Sequence, residues 1–191
     1  MIGYALTGSF CTVGRSLAVL EELGGYNEIV PIISASVAGT DTRFGTAEGT
    51  VGRITGICGR SPITTVKEAE PLGPAIPLEA LVICPCTGNT LAKLANGITD
   101  TAVTMAAKAH LRNGRPLVIA LATNDGLSQN LKNLAVMLNR KNVYFVPFGQ
   151  DDPDNKPSSL IADFSLVGKT LDAAIQGKQL QPLLLREKRT S

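Results

Sequence analysis

Three short apolar runs, Leu81–Cys84 (LVIC), Leu117–Leu121 (LVIAL) and Val143–Phe148 (VYFVPF), are separated by stretches of helical composition. This alternation constrains the fold more than any other feature. Runs this short that lack polar alternation read as strands covered on both faces, and covered strands joined by helices lie parallel. The stretch Ala80–Gly126 shows the pattern in full: a strand, a small polar loop, a helix, and a second strand opening into another polar loop. In such sheets ligands gather outside the carboxyl ends of the strands, so the loops mark a place for a site before they mark a reaction.

Extended over the chain, the reading gives strands at Tyr4–Leu6, Asn27–Ser34, Ala80–Cys84, Pro116–Ala122 and Val143–Phe148. Pro31 marks the second as an edge or irregular strand. Helices are expected over Thr12–Glu22, Thr90–Ala95, Thr101–Asn113, Gln129–Arg140 and Leu160–Gln176, with shorter pieces at Glu48–Cys58 and Val66–Glu70. The fold class is therefore α/β, a doubly wound parallel sheet of Rossmann or flavodoxin type. It forms a single domain over residues 1–176, followed by a C-terminal arm or tail over 177–191.

Eighteen basic against 16 acidic residues leave a net charge of +2, too balanced for a nucleic-acid surface. The basic run Arg186–Arg189 reads as a solvated tail. No run reaches the roughly 18 consecutive apolar residues of a membrane span, and the N-terminus lacks the pattern of a secretion signal. Cys11, Cys58, Cys84 and Cys86 with a single histidine, His110, make no metal-site pattern, and reduced thiols are expected. His110 lies among alanines and leucines of a helix and reads as a surface residue.

The first turn, Thr7-Gly8-Ser9-Phe10-Cys11-Thr12, joins a strand to a helix, where free backbone N–H groups and the helix dipole suit an anion. Only Gly8 and Gly14 are present, not a GxGxxG series. A lone phosphate, as in a mononucleotide such as FMN, fits better than a pyrophosphate; plain capping by Ser9 or Thr12 is the alternative. Ser34 and Ser36, after the second strand, would lie beside that turn. Cys86-Thr87-Gly88-Asn89-Thr90 and Thr123-Asn124-Asp125-Gly126 supply hydroxyls and amides after the third and fourth strands, and each also has a capping or turn reading. An amide can donate and accept at once, matching a flavin or pyrimidine edge. Arg43, Arg53 and Arg60 stand in a glycine-rich middle where a guanidinium could meet a carboxylate substrate.

The run Pro85 to Asp100 (PCTGNTLAKLANGITD) resembles the P-x-S/T-x-N-T…K-x-A-N-G…D segment of the flavoprotein family that includes FMN-dependent cysteine decarboxylases and flavin prenyltransferases. The resemblance places Asn89 on the asparagine that contacts flavin and substrate, and Thr104 on a cofactor-side threonine. The later P-x-M-N-x-x-M motif is matched only at Asn124, and the decarboxylases' histidine has no counterpart between Ser34 and Glu79. Further segments (Thr42-Arg43-Phe44-Gly45, Glu70 to Pro74, Met105 to Lys108, Leu111 to Gly114, Phe148 to Asp151, Gly177 to Pro182) are similar to those of dipicolinate synthase B subunits.

That resemblance implies oxidation of a dihydrodipicolinate-type precursor, a small dicarboxylate, to pyridine-2,6-dicarboxylate in the mother-cell cytoplasm during sporulation. A partner polypeptide, the A subunit of the synthase, would carry NAD(P). It implies a homo-oligomer, trimer or dodecamer. The FMN phosphate would then sit at Gly8, Ser9, Phe10, Ser34 and Ser36. Its ring would lie against Thr87, Asn89, Thr90, Thr104, Thr123 and Asn124. Asn89, Asn124 and Arg43 are the candidate catalytic residues, with Arg43 pairing a substrate carboxylate. The other readings are an accessory chain with an empty flavin-type pocket and a stand-alone FMN-dependent decarboxylase.

Overall fold

The computed structural model describes residues 1–185, so the basic run Arg186–Arg189 lies outside the described residues. Strands β1 (Ile2–Leu6), β2 (Ile29–Ile33), β3 (Ala80–Cys86) and β4 (Leu117–Thr123) are parallel and stand in the order β2-β1-β3-β4. Every residue of the first three is buried. That explains why these segments read as unbroken apolar runs: helices cover the sheet on both faces. From β1 the chain steps outward to β2 and then crosses to β3 on the other side. The connection therefore reverses between β1 and β3, and in an open sheet such a reversal leaves a crevice beyond the strand ends.

Helix α1 (Val13–Gly24) follows a 3₁₀ turn, Phe10–Thr12, and buries Ser16, Leu17, Val19, Leu20 and Leu23 along one stripe. Each fully buried leucine of this stripe contributes about 2 kcal/mol. Next come α2 (Ala35–Gly39), α3 (Ala47–Cys58), α4 (Val66–Ala69), α5 (Gly88–Ala95), α6 (Ala102–Arg112), α7 (Leu131–Leu138) and α8 (Val167–Ile175). Helix α1 packs against α3 and α8, whereas α6 packs against α4 and α5, and α5 against α7. Pro31 does lie on an edge strand: β2 is outermost, and among the described residues its outer side meets one bridge, through Ile63.

The far edge departs from the all-parallel expectation. Strand β5 (Val143–Phe145) runs parallel to the first half of β4, pairing Leu117 with Val143. The second half of the same edge is taken by β7 (Leu160–Ala162), antiparallel, pairing Ala122 with Ile161. Strand β6 (Phe148–Gly149) then pairs antiparallel with β7. The expected strand Val143–Phe148 is thus two strands interrupted at Val146-Pro147, because proline cannot donate to a ladder. The expected helix Leu160–Gln176 begins as strand. Asp163 accepts from Ser165 N and caps a 3₁₀ turn, Phe164–Leu166, so the helix starts only at Val167. Beyond α8 the chain turns back along this edge. The Gln179 side chain accepts from Phe145 N at 2.8 Å and donates to Phe145 O at 2.7 Å. Phe148 then bridges Leu184 in parallel.

His110 is not a surface residue. It stands one turn beyond Ala106 and Ala107 on the face of α6 that packs on the sheet, and its relative exposure is 0%. Small alanines bring that helix face close enough to enclose the ring. Nε2 lies 2.9 Å from Pro116 O, which fixes Nε2–H as the donor, while Nδ1 has no partner. Burial holds the imidazole below its ordinary pKa, against the raising effect of the Pro116 hydrogen bond. The unfolded chain therefore takes up a proton at a higher pH than the folded one, and stability falls as pH drops below about 6.5. Urea unfolding between pH 7.5 and 5 should show this loss, at up to about 1.4 kcal/mol per pH unit. His110→Gln should flatten the slope, and an unchanged slope would locate the effect elsewhere.

Candidate functional site

At the reversal between β1 and β3, one hydroxyl ties the two strand ends together. Thr7, 1% exposed, donates through Oγ1 to Pro85 O at 2.8 Å and accepts from Thr87 N at 3.0 Å. Its own N–H also donates to Pro85 O. Below it, Tyr4 donates to Ser16 O at 2.8 Å, and the Ser16 hydroxyl donates to Cys84 O. Strand β1, helix α1 and strand β3 are therefore joined by buried hydroxyls that each have a partner, as burial requires. The loops that follow, Gly8-Ser9 and Thr87-Gly88, are held side by side.

A third loop closes on them. Thr123 Oγ1 donates to the Asp125 carboxylate, and Asn130 Nδ2 lies 2.9 Å from both of its oxygens. Asn133 in turn donates to Asn130 Oδ1 at 2.9 Å. Burial raises the Asp125 pKa, but the hydrogen bonds from Thr123 and Asn130 prevail and hold it below the usual carboxylate range. The carboxylate is thus fully engaged and fixes the loop. Gly88 fits against this network because it has no side chain: a Cβ there would lie 2.6 Å from Asn130 Nδ2 and 2.8 Å from Asp125 Oδ1.

Between the three loops lies a cleft of ≈ 340 Å³ reached by Gly8, Ser9, Phe10, Thr87, Thr123 and Asn124. Asp151, Lys156 and Ser159, on the segment between β6 and β7, line it as well. Among the described residues the N–H groups of Gly8, Phe10 and Cys11 have no acceptor. Three such donors at the start of a helix suit an anion. Lys156 pairs with Asp151 at 3.4 Å, and both are solvent-accessible, so the pair is weak and the ammonium is available to a stronger anion. For Asp151, burial is outweighed by hydrogen bonds from Ser159 and Lys156, and its pKa is lowered. The donor set fits the phosphate of a mononucleotide, with the Thr87, Thr123 and Asn124 polar groups left for a ring edge.

The expected site residues divide. Gly8, Ser9, Phe10, Thr87, Thr123 and Asn124 converge on the cleft. Ser36 stands directly beside it: a Cβ on Gly8 would lie 3.1 Å from Ser36 Cβ. The Ser34 hydroxyl accepts from Val37 N and caps α2. Thr90 is buried in the first turn of α5, its N–H bonded to Thr87 Oγ1, and Asn89 on that turn is exposed. Neither Asn89 nor Ser34 reaches the cleft wall. Thr104 shares a capping box with Thr101 and borders a separate hollow of ≈ 170 Å³ beside Lys108 and Arg140. Arg43 is exposed, its guanidinium 4.8 Å from the Phe44 ring centroid. Lys156, Ser159 and the Asp125–Asn130 pair lie beyond the reach of sequence reasoning. A lysine in a loop rich in aspartate reads as solvated, and only the fold returns it to β4.

The two buried thiols of β3, Cys84 and Cys86, carry no chemistry here. Burial pushes Cys84 up to about 11 and Cys86 higher still, so neither is a thiolate near neutral pH. No group of three or more metal-ligating side chains gathers among the described residues, and none of their helices is long and apolar enough to cross a membrane.

A family model described as Flavoprotein matches residues 2–170. The B subunit of dipicolinate synthase from Bacillus subtilis (strain 168) is 45% identical over 185 residues, covering 96% of this chain and 92% of that protein. The crystal structure of the dipicolinate synthase B subunit from Bacillus halodurans C superposes with a TM-score of 0.89 at 41% identity, covering 97% of this chain and 95% of that one. The FMN-dependent cysteine decarboxylase SpaF superposes at a TM-score of 0.66 and 22% identity, covering 92% and 95%, a likeness of fold alone.

Because residue 88 abuts the Asp125 network, Gly88→Ala should cost about 1–3 kcal/mol of stability by overpacking. Asn130→Ala, which removes two of the bonds to Asp125, should raise that carboxyl's pKa. A Gly88→Ala protein with an unchanged melting temperature would show that the two loops are not in fixed contact.

Proposed function

The chain belongs to the flavoprotein family, and on that premise we propose that it is the flavin-handling B subunit of a two-subunit dipicolinate synthase. The observation that carries this reading is the convergence of unpaired N–H groups at Gly8, Phe10 and Cys11 with Thr87, Asn124 and Lys156 on one cleft. The identity of 45% to a dipicolinate synthase B subunit over nearly the whole chain supports the choice of reaction within the family.

In this reading the Gly8, Phe10 and Cys11 amides, the Ser9 and Ser36 hydroxyls and Lys156 would hold the FMN phosphate, while Thr87, Thr123 and Asn124 would present polar groups to the ring edge. When bound, a flavin would supply a two-electron acceptor for a dihydropyridine ring. The protein's part is binding and orientation. Asp125 is ionised and fully hydrogen-bonded, so it fixes the Thr123-Asn124 loop rather than moving a proton. Arg43 pairs a substrate carboxylate, since its planar fork suits a bidentate contact. Asn89, exposed on α5 and outside the cleft wall, takes no part in this arrangement. The NAD(P) that ends the electron path is held by the partner polypeptide, the synthase's A subunit. The present chain acts in the mother-cell cytoplasm as a homo-oligomer, trimeric or dodecameric.

An accessory role, with the cleft never loaded, is the second reading, favoured by the exposed position of Asn89. Stand-alone decarboxylation is disfavoured: the sole histidine, His110, is enclosed on the sheet side of α6 and cannot reach the cleft.

Purified protein incubated with FMN should retain an absorption band at about 450 nm after gel filtration. Lys156→Ala should weaken flavin affinity about tenfold or more, the scale of one charge-assisted hydrogen bond. A colourless protein that still activates the NAD(P)-holding partner would establish the accessory role instead. In the assembled enzyme Arg43→Ala should raise KM for the dihydropyridine with flavin content unchanged; unaltered kinetics would remove Arg43 from the site.

A further inference from the structure

A second cleft, of ≈ 450 Å³, opens on the other side of Phe10, between α1 and α3. Phe10, Val13 and Leu17, along the start of α1, line it together with Val37 and Phe44. Phe44 sits on a tight turn closed by reciprocal bonds between Thr42 and Gly45, at 3.0 and 3.1 Å. It is 55% exposed, an unusual position for a large ring without a packing partner. The Arg43 guanidinium lies over this ring, 4.8 Å from its centroid. Arg53 of α3 reaches the cleft from below. Neither Arg43 nor Arg53 has a carboxylate within ion-pair distance among the described residues, whereas Arg60 is paired with Glu28. The floor is kept bare: side chains at Gly14 and Gly45 would meet nothing within 4 Å, so both positions open onto free space.

We propose that this second cleft binds a small planar aromatic or heteroaromatic carboxylate, its ring between Phe10 and Phe44 and its carboxylate on Arg53. Two phenyl side chains among aliphatic ones in the lining favour a flat apolar ring over a sugar or a phosphate. A guanidinium without a partner is the group that recognises a carboxylate through two parallel bonds. The Arg43–Phe44 stack adds a positive rim to the same mouth. Phe10 lines both clefts, so a ring held here lies against the wall of the phosphate cradle. The inference rests on the dipicolinate synthase reading for the identity of the acid, which is then substrate or product of that reaction.

The test is isothermal titration of the full chain with pyridine-2,6-dicarboxylate, with and without FMN. Benzoate serves as a planar comparison and cyclohexanecarboxylate as a puckered one. Both planar acids should bind and the puckered acid should bind at least tenfold more weakly. Arg53→Ala and Phe44→Ala, at exposed positions that the fold does not need, should each lose tenfold or more in affinity for pyridine-2,6-dicarboxylate while FMN uptake stays unchanged. Wild-type protein that takes up FMN but no aromatic acid would overturn the inference and leave the flavin cradle intact. Loss of FMN uptake in Phe44→Ala would overturn it by making this cleft the flavin ring's seat. Binding of benzoate but not of pyridine-2,6-dicarboxylate would sustain the cleft's chemistry and instead refute the dipicolinate reading.

Discussion

The Thr7 hydroxyl sets the distance between the two halves of the sheet where their connections diverge. It donates to Pro85 and accepts from Thr87, so the end of β1 and the end of β3 move as one body. A reversal in strand order creates a crevice, but not one of defined width; the width comes from this bond and from the Tyr4–Ser16–Cys84 chain beneath it. Such bonds cost little to form in the fold and much to leave broken, because each buried polar atom would then lack a partner. The precision of the loops above follows from that asymmetry.

On this base the cleft is assembled from parts of differing rigidity. Gly8 and Thr87 are held by strand ends. The Thr123–Asp125 loop is held by side-chain amides, with Asn130 and Asn133 relaying the constraint into α7. The Asp151–Ser159 segment, tied to the loop after β4 where Leu127 N–H donates to Ser158 O, brings the cleft its half-exposed lysine. Rigid donors beside a looser cation suit a ligand that must enter and then be enclosed.

How much of this is legible in the sequence depends on range. The turn after β1 and the loops after β3 and β4 can be placed because each is defined by its own residues: an apolar run, then glycine and hydroxyls. The edge position of β2 follows from a single proline. What the linear pattern cannot carry are features made by distant pairing. Leu160–Ala162 reads equally well as helix or strand, and only its antiparallel match to Ala122 and Thr123 decides. Lys156 gains meaning from the same pairing. His110 is misleading because its own residue type suggests water, whereas the small alanines of α6 press that helix face onto the sheet. Asn89 and Thr104 sit where the family motif puts them in sequence, yet their helix geometry directs them away from the main cleft.

The amide of Gln179 occupies both hydrogen-bonding groups of Phe145, standing in for the strand that would otherwise lie there. An open margin of peptide groups is a template for adhesion between molecules. With one side chain blunting it, and Leu183–Leu185 bonded to Phe148 farther along, this flank offers no track on which another copy could zip up. Along this flank a neighbour could meet only side chains, not a backbone ladder to extend.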